Sequence, residues 1–207
     1  MTDNIILTIM IPVYNQEDLI LKALDSIPKR NDVQILITDD CSTDNTWSII
    51  EKWTDENYKN FYNVTSQRNR TNRGCGYSKN LMYTLADGKY IVTLDSDDYL
   101  YTDKYNEIID RLYTLDKDMI FIANDINDGA VWSNSDRKAT WSYFVRNDFL
   151  KSTGLNYNPE ARRAGDFELT KSLQQLHPKE MILTDVVYHY NYPREGSIVW
   201  KFEHGVE

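Results

Sequence analysis

An α/β fold, with a mostly parallel central sheet covered by helices on both faces, is what this chain of 207 residues predicts. Apolar, β-rich runs recur as IILTIMI (5–11), VQILIT (33–38), FYNVT (61–65) and KYIVTLD (89–95). Longer helix-compatible segments separate these runs, which is the alternation of βαβ units. With 41% hydrophobic residues, the chain suits one domain over 1–207 that buries roughly 70% of its unfolded surface.

The elements follow in order. EDLILKALDSI sets Leu19, Ala23 and Ile27 at helical spacing behind an acidic opening turn. STDNTWSIIEKW offers Ser42, Thr43 and Asp44 as N-caps, with Trp47, Ile50 and Trp53 as its apolar stripe. CGYSKNLMYTLADG predicts a third helix, closed by Gly88 at the C′ position. Later, DKYNEIIDRLYTL reads as a helix, DMIFIAND as a strand, DFELTKSLQQL as a helix and MILTDVVYHY as a late strand.

Charge and composition exclude some functions. A formal net charge of −9 repels nucleic acid and anionic lipid at long range, although Arg68, Arg70, Arg73 and Lys79 leave open a local basic groove or a solvated face. Cys41 and Cys75 form no CxxC, so they read as free thiols rather than a zinc site or a disulfide. No run approaches the ~20 apolar residues of a membrane span. The opening MTDNIILTIMIP lacks the basic flank and cleavage site of a signal peptide, and a soluble, cytoplasmic protein is expected.

In open α/β sheets, ligands collect beyond the carboxyl ends of the strands. That rule selects Pro12 to Asn15, Asp39 to Asp44 and Asp95 to Asp98. The stretch VTLDSDDYL sets Asp95, Asp97 and Asp98 within four residues, directly after an apolar run. Such carboxylates repel one another, and burial raises their pKa values, so they need solvent, caps or a cation. Oxygen ligands suit Mg²⁺ or Mn²⁺, and Mg²⁺ commonly takes one or two carboxylates plus phosphate oxygens. Asp and Ser also close turns and cap helices, and this stretch alone does not separate the two readings.

Read together, TIMIPVYNQEDLILKALDSI, VQILITDDCSTDNTWSII, NRGCGYSKNLMYTLADGKYIVTLDSDDYL and AGDFELTKSL resemble, in order and spacing, the family 2 glycosyltransferases of the GT-A fold. The resemblance implies a nucleotide-sugar-binding half at 1–100 and an acceptor-binding, catalytic half at 101–207. PVYN is similar to the family's loop at the nucleotide base, with Pro12 lining it and Tyr14 offering a ring to stack on uracil. TDDCSTD resembles DDGSTD, which implies that Asp40 accepts a hydrogen bond from the base with Asp39 beside it; Cys41 stands where glycine is usual. Lys79-Asn80 replaces the common Arg-Asn, and a donor contact from Lys79 is implied without arginine's bidentate fork. LDSDD is similar to the family's DxD: Asp95 at the ribose or metal, Asp97 at the metal, and Asp98 a second metal contact or a helix cap.

The resemblance also implies the chemistry. AGDFEL looks like GEDxEL, which makes Asp166 the base of an inverting displacement, with Gly165 in place of the usual Glu and Glu168 as a possible substitute or an exposed helix residue. VYHYNYPREGSIV is similar to a late loop that closes on the donor diphosphate, implying contacts from Arg194 and Ser197 and a metal or phosphate role for His189. The activity implied is transfer from a UDP-sugar to a hydroxyl acceptor, with Mn²⁺ or Mg²⁺ as cofactor. The acceptor class (glycan, lipid-linked sugar, protein or modified base) stays open, as does a homo-oligomer. Trp132, Trp141, Tyr143 and Arg146 form either a sugar platform or core. An inactive sugar-nucleotide-binding module and a nucleotidyltransferase are the alternative functions.

Overall fold

Strands β1 (Leu7–Val13) and β2 (Val33–Asp39) are buried at all seven positions each, because helices cover both faces of the sheet they form. Their alternate residues serve separate cores: Ile9, Ile11, Ile35 and Ile37 pack into one, while Met10 and Leu36 pack into the other. The computed structural model describes residues 5–127, 129–132, 139–161, 165–192 and 194–205.

The first half is a parallel βαβ array. β1 pairs with β2 on one side and with β4 (Tyr90–Thr93) on the other, and β3 (Asn63–Arg68) extends the edge beyond β2, all in parallel. The crossovers are α1 (Ile20–Asp25), α2 (Thr46–Asn57) and α3 (Cys75–Leu85). Then come β5 (Tyr99–Leu100), α4 (Thr102–Leu112), β6 (Met119–Ile126), β7 (Val131–Trp132), β8 (Tyr143–Arg146), α5 (Asn147–Thr153), α6 (Gly165–Gln174), β9 (Glu180–Tyr190) and α7 (Ile198–Glu203). One sheet carries both halves in the order β3-β2-β1-β4-β8-β6-β9-β5, with β7 on β6. β5, β7 and β8 pair antiparallel, but the parallel ladders hold most of the paired residues.

The chain direction reverses its march across the sheet between β1 and β4, and the carboxyl ends of β1, β2 and β4 open at that switch point. One core lies under α1, α2 and α4, around Leu24, Ile50, Trp53 and Ile108. The other lies under α3, α5 and α6, around Met82, Leu150, Tyr157 and Leu173.

Three local expectations are corrected. α1 starts only at Ile20, so Glu17 and Asp18 lie ahead of it rather than in its first turn. α2 starts after Asn45: the Asp44 carboxylate takes the Thr46 N–H at 3.0 Å but also the Glu17 N–H at 3.2 Å, while Ser42 and Thr43 serve the neighbouring loop. Gly88 is not the C′ residue of α3, which ends at Leu85 with Ala86 extended. A Cβ on Gly88 would lie 2.5 Å from the Thr8 backbone nitrogen, so glycine stands there for close approach to β1.

Candidate functional site

The loops after β1 and β2 are laced together by polar side chains. Asn15 N–H donates to Ser42 Oγ at 2.9 Å, Thr43 N–H to Asn15 Oδ1 at 2.8 Å, and Gln16 N–H to Thr46 Oγ1 at 2.8 Å. Glu17 returns a carboxylate to the Asn45 N–H at 2.9 Å. This lacing holds Tyr14 at the rim with its ring 43% exposed, while Pro12 is buried within β1. Cys41 takes φ 68, the left-handed region that a glycine would enter without a steric cost.

Asp39 and Asp40 are both buried but hold different things. Asp39 ties down its own turn, accepting from Ser42 N and Oγ and pairing with Arg68 Nε at 3.0 Å. Asp40 holds the loop that leads into α3: it accepts from Asn69 Nδ2 at 2.7 Å, Arg73 N at 2.9 Å and Gly74 N at 2.6 Å. A carboxylate has about four lone-pair positions, so one is left for a ligand.

The acidic loop after β4 divides its three carboxylates. Asp98 is buried and serves the loop itself, with Tyr188 Oη donating to it at 2.6 Å and Asn191 N at 2.8 Å; it does not cap α4, whose N-cap position is held by Tyr101. Burial, then Asp95 and Asp97, raise the Asp98 pKa well above the ordinary carboxylate value. Tyr188 Oη also accepts the Asp95 N–H at 3.2 Å, so one phenol fastens both ends of the loop. Asp97 pairs with Arg194, whose Nη2 lies 2.6 Å from Oδ2. The Asp95 carboxylate has no protein partner among the described residues. Burial pushes its pKa up to about 7; Lys79 opposes the shift, and Asp166 and Asp97 add to it.

His189, expected at the metal or phosphate, is engaged by protein groups: its Nδ1 lies 2.9 Å from Asp125 Oδ1 and its Nε2 2.9 Å from Asn127 Oδ1. The ring also stacks on Tyr99, with centroids 4.4 Å apart. Among the described residues no three His, Cys, Asp or Glu side chains converge on one point. Asp95 and Asp97 fit a divalent ion of the Mg²⁺ or Mn²⁺ type: Asp95 is a largely enclosed carboxylate with no direct ion-pair partner among the described residues, and such ions complete their shell with phosphate oxygens and water.

Asp166, in the first turn of α6, is met by an unexpected partner. Lys79 Nζ lies 2.8 Å from Asp166 Oδ1 and donates to Thr140 Oγ1 at 3.2 Å, and Thr140 N–H reaches Asp166 Oδ2 at 3.4 Å. The Lys79 side chain is 2% exposed, and the Tyr157 ring stands 5.0 Å from its Nζ. Burial works against the ammonium, but the neighbouring carboxylates, led by Asp166, outweigh it and raise its pKa well above the usual lysine value. The resemblance implies a donor contact for Lys79; in the structure its ammonium meets Asp166 and Thr140.

Other expected residues also settle. Ser197 Oγ accepts the Trp200 N–H at 3.1 Å and so caps α7. Glu168 is an exposed helix residue. Ala164 of AGDFEL and Pro193 of the late loop lie outside the described residues. Of the four residues read as platform or core, Trp141 and Tyr143 are buried core, Arg146 pairs with Asp116, Asp118 and Asp148, and Trp132 is half-buried against Tyr192. Residues the sequence reading missed are Asn69, Thr140, Tyr188 and Asn191. Each acts from a distant element, and no local pattern marks it.

Known proteins resemble this chain in sequence and in fold. A family model for glycosyl transferase family 2 matches residues 8–173. Poly(ribitol-phosphate) beta-glucosyltransferase of Bacillus spizizenii is 35% identical over 218 residues, covering 92% of this chain and 33% of the relative, so this chain spans about a third of that protein's length. Two solved structures superimpose. TarS of Staphylococcus aureus in complex with UDP-GlcNAc gives a TM-score of 0.78 at 22% identity, over 93% of this chain and 60% of that one. The mannosyltransferase PcManGT of Pyrobaculum calidifontis, with GDP-Man and Mn²⁺, gives 0.74 at 16% identity, over 96% and 60%.

Proposed function

The chain belongs to glycosyl transferase family 2 and has its GT-A fold, and on that premise we propose that it moves a sugar from a UDP-sugar to a hydroxyl acceptor, inverting the anomeric centre, with Asp166 as base. The carrying observation is geometric: Asp95 and Asp97 stand together in the loop after β4 at the switch point of the sheet, and Asp166 is held 2.8 Å from Lys79 Nζ of α3 with its carboxylate still 30% exposed. A base and a cation-binding pair suit a reaction that removes a proton at one end and releases a diphosphate at the other.

In the displacement, Asp166 takes the acceptor O–H proton as the acceptor oxygen forms its bond to the anomeric carbon. The bond from that carbon to the diphosphate breaks, and its electron pair leaves on the diphosphate. Asp95 and Asp97 are the residues that would hold Mn²⁺ or Mg²⁺, which when bound stabilises charge on a leaving phosphate as a Lewis acid. Tyr14 stacks on the uracil, and the last lone-pair position of Asp40 is available to the base. Arg194 moves from Asp97 to the diphosphate when the donor binds. UDP as the nucleotide is supported by the TarS complex with UDP-GlcNAc, and Mn²⁺ by the PcManGT complex.

The test is UDP release from a panel of UDP-, GDP- and dTDP-sugars with Mn²⁺ or EDTA, with poly(ribitol-phosphate) among the acceptors. The wild type is compared with Asp97→Ala and Asp166→Asn. Metal-dependent release that Asp97→Ala abolishes, and that Asp166→Asn slows by roughly 10²–10⁴-fold with donor binding intact, is the expected result. Binding without release by the wild type across all acceptors would instead support an inactive sugar-nucleotide-binding module. Absence of any metal-dependent binding would overturn the reading.

A further inference from the structure

We propose that Lys79 is a positioning residue for the base: its buried ammonium clamps the Asp166 carboxylate in the orientation that receives the acceptor proton, and it makes no contact with the donor. The inference rests on the role proposed for Asp166.

The geometry accounts for two of the three N–H groups of the lysine head: one meets Asp166 Oδ1 at 2.8 Å and one Thr140 Oγ1 at 3.2 Å, while the Tyr157 ring lies 5.0 Å from Nζ. Asp166 is itself 30% exposed, so the pair is asymmetric: a fixed cation inside and a carboxylate that still faces solvent. With Oδ1 held by Lys79 and Oδ2 approached by the Thr140 N–H at 3.4 Å, both oxygens are oriented from behind. The carboxylate keeps lone pairs beyond these two contacts, and its 30% exposure leaves it open to an arriving hydroxyl.

The rest of α3 serves the same docking. Asn80, the next residue, clasps the Tyr157 backbone from both sides, Nδ2 to the carbonyl at 2.8 Å and Oδ1 from the N–H at 2.9 Å. A Cβ on Gly76 would lie 2.9 Å from the Asn158 carbonyl, so that end of α3 is pressed against the same segment. Three positions of one helix thus seat the stretch around Tyr157 and the carboxylate of Asp166. An ammonium adjacent to a carboxylate does not make it a stronger base, because it favours the ionised form. Orientation is what the contact can contribute, and misplacing a reacting group by about 1 Å can cost on the order of 10²-fold in rate.

The experiment compares wild type, Lys79→Met, Asp166→Asn and the double variant, with UDP-glucose, UDP-GlcNAc and Mn²⁺ as probes. It measures donor affinity by calorimetry, kcat and KM for UDP release, and the Asp166 rotamer in crystal structures of wild type and Lys79→Met. Expected for Lys79→Met are donor affinity within about twofold of wild type, kcat lower by roughly 10–100-fold, no further loss in the double variant, and an Asp166 carboxylate turned away from Thr140. Weakened donor binding with kcat unchanged would make Lys79 a donor contact and overturn the proposal. So would an Asp166 that keeps its rotamer without the ammonium. Full turnover by Asp166→Asn would defeat the assignment of the base, whereas loss in Asp166→Asn beside normal kcat in Lys79→Met would defeat only the positioning role. If Lys79→Met does not fold, Thr140→Val removes the second acceptor of the ammonium; a lowered kcat at constant KM supports the clamp and an unaffected kcat overturns it.

Discussion

Replacing Asp40 by asparagine separates two roles for this residue: holding the loop before α3, and accepting a hydrogen bond from a bound base. Asp40 is 4% exposed and accepts three N–H donors, two on Oδ1 from Asn69 and Arg73 and one on Oδ2 from Gly74. An asparagine keeps one acceptor oxygen, so its amide nitrogen must face a donor whichever way it is turned. The less costly choice preserves the Oδ1 contacts and loses the one to Gly74, the N-cap residue of α3. A hydrogen bond to a charged group contributes about 1.5–3 kcal/mol and a carboxylate at a helix N-terminus about 0.3–1 kcal/mol, which gives a loss of roughly 2–4 kcal/mol. For a domain of this size that lowers the Tm by roughly 4–16 °C. Urea and thermal unfolding measure the loss, and calorimetric titration with UDP measures the binding. A variant with wild-type stability and weakened UDP binding would refute the structural role and leave Asp40 as a base contact alone.

Three further outcomes are expected. Arg194→Ala should raise the Mn²⁺ affinity of the nucleotide-free protein by roughly fivefold, since the Arg194–Asp97 pair is a quarter exposed on each side and is worth about 1 kcal/mol; manganese EPR reads it, and unchanged or weaker binding counts against Asp97 as the shared partner. Cys41→Gly should stabilise the chain by about 0.5–1 kcal/mol, because glycine removes a left-handed cost of about 1–2 kcal/mol at φ 68 and returns part of it in chain entropy; a loss of stability in urea would contradict this. The Arg30 hydrogen bond lowers the Asp32 pKa below its ordinary 3.8, against burial and with help from Tyr113, so this ion pair stabilises the fold above that value and its contribution is lost as pH falls through the folded-state pKa. Unfolding measured across the acid range should therefore decline less steeply in Asp32→Asn, and an identical slope would show that the pair does not carry the effect.

The sequence by itself determined the layered fold and the three loops that meet at its switch point. Runs such as VQILIT declare a two-sided strand through their own composition, and the helical spacing of Ile50 and Trp53 declares a buried face, since both signals lie within a single element. Asp95, Asp97 and Asp166 were legible for a different reason: they stand in segments whose order and spacing resemble those of a known family. What those residues touch was decided only by the tertiary structure. The pairing of Lys79 with Asp166 spans 87 residues, Arg194 with Asp97 spans 97, and Tyr188 with Asp98 spans 90. The partners of His189, Asp125 and Asn127, likewise stand 64 and 62 residues away in the sequence. A side chain's type states which bonds it can form, whereas its partners depend on which distant elements the folded sheet brings within about 3 Å of it, and burial then excludes the water that would otherwise compete for those bonds.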